Sequence, residues 1–160
     1  MSAGPRAWIW AAAVAFLGEA FVAPAIDFAG IAPDFAAIGT VLLALSRGAA
    51  SATLGGFALG LILDLANPPL LGLHALALAL VGYGCGQLRD RLVYSLTAVV
   101  SVLVGLAALV HGTIVLLIDG HFGRPAPFLL QVLPAALYSG LVGFPLLRLA
   151  ERLGIFAQDD

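Results

Sequence analysis

VYSLTAVVSVLVGLAALVHGTIVLLI, residues 93–118, runs for 26 positions without one Asp, Glu, Lys or Arg. A bilayer crossing takes about 20 apolar residues, so this stretch reads as a membrane-spanning helix. The same texture extends outward from it in both directions. Polar residues, Gly and Pro punctuate the chain at Asp27 to Pro33, Ser46-Arg47-Gly48, Asn67-Pro68-Pro69, Arg89-Asp90-Arg91 and Asp119 to Pro125. They predict six helices, over about 7–26, 34–47, 51–66, 72–88, 93–118 and 126–147. The second and third, at about 14 and 16 residues, are shorter than the usual span and are expected to dip into the bilayer or to thin it locally. All six belong to one transmembrane domain, residues 1–160.

Composition agrees with this layout. Of the 160 residues 62% are apolar and 10% charged, against roughly 25% charged in a soluble domain. A soluble fold is excluded, and the length leaves no room for a separate soluble domain. Seven Arg, no Lys and nine acids give a net charge of -2. That balance offers no basic surface for nucleic acid. The single cysteine, Cys85 between two glycines, can form no intrachain disulfide and reads as a small packing residue. The N-terminus imitates a signal peptide, with Arg6 ahead of an apolar run that ends in Val22-Ala23-Pro24-Ala25. Glu19 inside the run and Pro24 near its end argue instead for a retained first helix.

Arginine placement gives the orientation. With the N-terminus inside, Arg6, Arg47, Arg89, Arg91, Arg148 and Arg152 fall on the cytoplasmic side and only Arg124 outside. The positive-inside rule therefore expects both termini in the cytoplasm and six crossings. Trp8 and Trp10 fit an aromatic belt at the inner surface, facing membrane lipid.

Ionisable groups within a bilayer are costly and mark places to inspect. Glu19, Asp64, His74 and His111 all fall in the outer half of this layout, and Asp119, His121 and Arg124 continue that polarity in the loop before the last helix. Asp64, His74 and Asp119 lie within about one turn of a helix end and are expected to anchor at the interface. Glu19 and His111 lie deeper and are expected in a specific buried pairing or an outward-facing pocket. No two His stand at i, i+4, and His-Glu-x-x-His is absent, so no metal is expected. There is no Gly-x-Ser-x-Gly and no phosphate-binding loop with Lys. Ser46, Ser51 and Ser101 have no acid or base in helical register, Ser95 has only Arg91, and Ser139 has none within a turn. Neither an enzyme nor a cofactor is expected.

Glycine spacing adds a packing expectation. Gly56 and Gly60 form a small-x-x-x-small pair, with Asp64 four residues further along the same face. Gly82 and Gly86 form a second pair on the fourth helix, expected to serve packing within the bundle.

Pro33-Asp34-Phe35 opening the second helix, Arg47 after it, Gly56-x-x-x-Gly60-x-x-x-Asp64-Leu65, and Leu71-Gly72-Leu73-His74-Ala75-Leu76 opening the fourth form an ordered series. The series resembles the rod shape-determining protein MreD family over residues 30–92; beyond that, only length, six spans and short loops extend the similarity. The resemblance implies a bacterial inner-membrane protein of the cell-elongation machinery. It would be a non-enzymatic platform that binds the bitopic protein MreC and works near the RodA glycosyltransferase and its class B penicillin-binding protein. It also marks Asp34, Gly56, Gly60, Asp64, Gly72 and His74 as packing or partner-contact positions, with Asp64 pairing with a group such as His74 or with a partner's side chain. The family is similar in architecture to the substrate-binding S-components of energy-coupling-factor vitamin transporters. A solute-binding transporter subunit is therefore the rival expectation.

Overall fold

The computed structural model describes residues 4–66, 71–89, 97–118 and 125–154. The described residues are all-helical apart from short connections. Its helices are α1 (residues 4–25), α2 (Phe35–Arg47), α3 (Ala49–Ala66), α4 (Leu73–Leu88), α5 (Thr97–Ile118) and α6 (residues 125–152). Four of them, α1, α3, α5 and α6, are long and apolar enough to cross a membrane. Their outward faces carry large apolar side chains such as Ile9, Phe21, Leu54, Leu130, Leu137 and Leu141. Helices apolar on every face suit a protein embedded in lipid.

The short helices are α2 and α4, of 13 and 16 residues: the second is short as expected, whereas the third, expected to be short, is not. Gly48 is the reason. It alone separates α2 from α3, with φ +83° and ψ -177°, a conformation open only to glycine. Its N–H bonds to Ala44 O, and its carbonyl accepts from Ala52 N–H, so α3 starts two residues earlier than expected and reaches 18 residues. At the next break Gly72 takes a left-handed φ of +95°, and α4 begins one residue later than expected, at Leu73. The first four residues of the expected fifth helix, 93–96, lie outside the described residues, as do Asp119, His121 and Arg124. Helix α6 runs five residues past its expected end because Leu147 and Ala150 are buried; Ala150 packs with Ala7 and Ala11 of α1 and with Leu42 and Leu43 of α2.

Two π-helical turns escape a reading by punctuation. One covers Gly18–Val22 in α1 and the other Phe128–Val132 in α6. In each, the next residue bonds back five positions, Ala23 N–H to Gly18 O and Leu133 N–H to Phe128 O, and a proline follows, Pro24 or Pro134. Proline has no N–H to give, and its ring crowds the carbonyl four residues back. Widening the preceding turn by one residue lets the helix continue past the proline.

Helix α2 is the axis of the molecule. Every residue from Phe35 to Leu45 is buried, and α2 touches all five other helices. Its burial against protein removes any need to match the bilayer's thickness. Successive helices run antiparallel and touch at small residues, Gly39 against Ala11 O and Gly140 against Ser101 O. The α3–α4 seam is the most extensive. A methyl group on Gly56 would lie 2.4 Å from Leu78 O, one on Gly60 2.4 Å from the His74 and Ala75 backbone, one on Gly82 2.3 Å from Ala52 O, and one on Gly86 2.3 Å from Ala49 Cα. Both glycine pairs thus meet helix backbone inside the bundle, where van der Waals and Cα–H···O contacts replace side chains.

Candidate functional site

The five arginines among the described residues gather at one end of the bundle. Arg6 begins α1, Arg47 ends α2, Arg89 follows α4 beside Gly48, and Arg148 and Arg152 lie in the last turns of α6. The other end holds the buried acids and histidines. There α2 and α4 begin, and their first N–H groups need acceptors. Four N–H groups at every helix start lack an intrahelical acceptor. In hydrocarbon each one left open costs several kcal/mol.

Carboxylates meet that need. Asp34 caps its own helix: Oδ1 accepts from Ala37 N–H at 2.8 Å. Glu19, held in the π-helical turn of α1, accepts from Ala36 N–H at 3.2 Å. For α4 the capping position is Gly72, which has no side chain, so the acceptor comes from the preceding helix. Asp64, 0% exposed, accepts from Gly72 and Ala75 N–H through Oδ2 at 2.9 and 3.1 Å, and from His74 N–H through Oδ1 at 3.0 Å. The partial positive charge of each helix start favours a carboxylate there. Asp64 is therefore buried inside the bundle, and none of these bonds goes to the His74 ring. It holds the His74 backbone.

That backbone position carries the His74 ring to α5. His74 Nδ1 lies 3.1 Å from His111 Nε2, with the rings edge to face at 5.2 Å between centroids. On its other side His111 Nδ1 bonds to Asp34 Oδ2. A carboxylate can only accept, so His111 donates from Nδ1; a neutral His111 ring then accepts at Nε2 from His74. Asp34 closes the circuit through its main chain, whose N–H donates to Ser139 Oγ at 2.8 Å, while the Ser139 hydroxyl donates to Ala135 O at 2.7 Å. Nearby, Tyr138 donates from its hydroxyl to Ile26 O at 3.0 Å and ties the α1–α2 loop to α6.

All six helices thus place a polar group around the starts of α2 and α4. Of the residues singled out in the sequence, Asp34, Asp64, His74 and His111 join one network, Glu19 caps the same helix as Asp34, and Gly56, Gly60 and Gly72 shape the α3–α4 hairpin. His74 is half-buried and belongs to this network. Ser139 is the residue sequence reasoning missed: its partner lies 105 positions away, and a search within one helical turn cannot find it. Its hydroxyl is committed to two backbone groups, accepting from Asp34 N–H and donating to Ala135 O. Among the described residues no three His, Cys, Asp or Glu side chains converge as a metal site.

Two grooves mark the lipid-facing surface. One, of about 460 Å³, lies between α5 and α6 and has no ionisable residue in its lining. The other, of about 410 Å³, lies between α1 and α3, over the start of α2, and Glu19 lines it.

A family model described as rod shape-determining protein MreD matches residues 6–148. No curated protein and no solved structure matches the chain.

Proposed function

The chain belongs to the rod shape-determining protein MreD family, and on that premise we propose that it is a non-enzymatic membrane scaffold that binds MreC. In doing so it helps position RodA and its class B penicillin-binding protein for peptidoglycan synthesis along the side wall. Membership carries a role in rod shape determination, and the apolar helices make the protein a multi-pass membrane protein. The observation that carries the finer reading is the polar network. Asp34, Asp64, His74 and His111 are bonded to helix starts and to each other. Groups spent on holding six helices together support a rigid platform. A solute binder would keep them turned toward a cavity.

On this proposal the chain crosses the bacterial inner membrane six times, with both termini in the cytoplasm. The gathering of five arginines at one end supports that orientation, since positive charge accumulates on the cytoplasmic side. The architectural likeness to energy-coupling-factor S-components belongs to the same proposal and concerns shape alone.

Depletion of the protein in its host tests the function. Cells are expected to lose lateral-wall growth and become round, while vitamin uptake stays unchanged. Cells that keep their rod shape and become vitamin auxotrophs would overturn the scaffold in favour of a transporter subunit.

A further inference from the structure

We propose that the groove between α1 and α3 seats the single transmembrane helix of a bitopic partner, which presents a hydrogen-bonding side chain to Glu19. The inference rests on the partner reading above and adds where the partner sits and what it must carry. The groove is built for close approach. Ala15 and Ala20 of α1, Ala36 of α2 and Ala66 of α3 leave room between the larger Phe16 and Ile62. Small residues of this kind let another helix come near enough for backbone and side-chain packing, the main attraction between helices in lipid.

Glu19 says what kind of molecule fills it. The residue is half-buried and lines the groove from the π-helical turn, a local widening often found at functional sites. Its carboxyl group meets the start of α2, from Ala36 N–H at 3.2 Å with Phe35 N–H beside it. A carboxylate has roughly four acceptor positions, so capacity remains on the groove side. Every arginine among the described residues lies at the far end of the bundle, and the groove's other lining residues are apolar. The carboxyl group thus meets this chain's own N–H groups on the α2 side and only apolar lining on the groove side, so a further donor for it has to come from another molecule.

Lipid tails have no donor to offer. A second copy, docked through the same face about a two-fold axis, would set one Glu19 against the other. A foreign helix with Ser, Thr, Asn, Gln or a basic side chain at the level of Glu19 satisfies both the shape and the chemistry.

The test is disulfide crosslinking in host membranes, in a Cys85→Ala background. Single cysteines are placed in the groove by Phe16→Cys or Ile62→Cys, or in the separate α5–α6 groove by Leu137→Cys, against a cysteine scanned along the MreC transmembrane helix. The groove positions are expected to crosslink to MreC, and the Leu137 position is not. At matched abundance, Glu19→Leu should lower MreC recovery about tenfold, and Glu19→Gln, which keeps a hydrogen-bonding head, should retain most of it. Crosslinking only from the Leu137 position, with normal MreC recovery, would overturn the groove and leave the partner reading standing. Crosslinks between two copies through Phe16→Cys or Ile62→Cys would also overturn it. Failure of the wild-type chain to recover MreC at all would remove the partner reading and the groove with it.

Discussion

Replacing Asp64 by Leu is expected to be the most damaging single change in the bundle. The carboxylate is buried and accepts three backbone N–H groups, from Gly72, His74 and Ala75. Leucine fills similar space and accepts none of them. A buried group that loses its partner costs about 1–3 kcal/mol, so three orphaned donors amount to about 3 kcal/mol or more. That is a large share of the roughly 5–15 kcal/mol that separates a folded domain from its unfolded state. At about 2–4 °C per kcal/mol for a chain of this size, purified protein should melt about 6 °C or more below the wild type. Asp64→Asn keeps one acceptor oxygen and should fall between. A Leu variant that melts within about 2 °C of the wild type would show that the start of α4 finds its acceptors elsewhere.

Gly60→Leu should come close behind, through a different physical link. Even the first carbon of a side chain at Gly60 would lie 2.4 Å from the backbone of His74 and Ala75. Backbone cannot swing aside as a flexible side chain can, so α3 and α4 must separate. Overpacking of this kind costs about 1–3 kcal/mol. The separation also draws the first turn of α4 away from Asp64, one turn along the same face, so the two changes should not add when combined. Gly84, on the other side of α4, is the control. A methyl group there meets nothing within 4 Å, and Gly84→Ala should be neutral or slightly stabilising, since alanine favours helix by about 1 kcal/mol. Equal melting temperatures for the Gly60→Leu and Gly84→Ala variants would remove the seam from the account.

These two positions also show how much the sequence could reveal. The row of Gly56, Gly60 and Asp64 was legible because close helix approach leaves a local signature, small residues every four positions on one face. The polar residues could be grouped by depth, and Glu19, Asp64, His74 and His111 do lie at one end of the bundle. What they bond to was not legible. Interfacial anchoring is the natural expectation for an acid one turn from a helix end. Asp64 is instead fully buried, because the start of the next helix takes its carboxylate as a cap. The Asp34 to His111 and Asp34 to Ser139 contacts join positions 77 and 105 residues apart, and no spacing rule reaches across different helices. The π-helical turns were hidden for another reason: a proline ends one helix and merely widens another, and packing around it decides which. Glu19 owes its place in the α1–α3 groove to one of those turns.

The central claim is that this is a platform for a protein partner, with its buried polar groups spent on structure. Native mass spectrometry tests it most directly, on the wild-type protein purified in mild detergent from host membranes without overexpression. The account predicts MreC at a fixed ratio to the chain and no small molecule retained. A tightly held solute of vitamin size, with no MreC at any ratio, would contradict it.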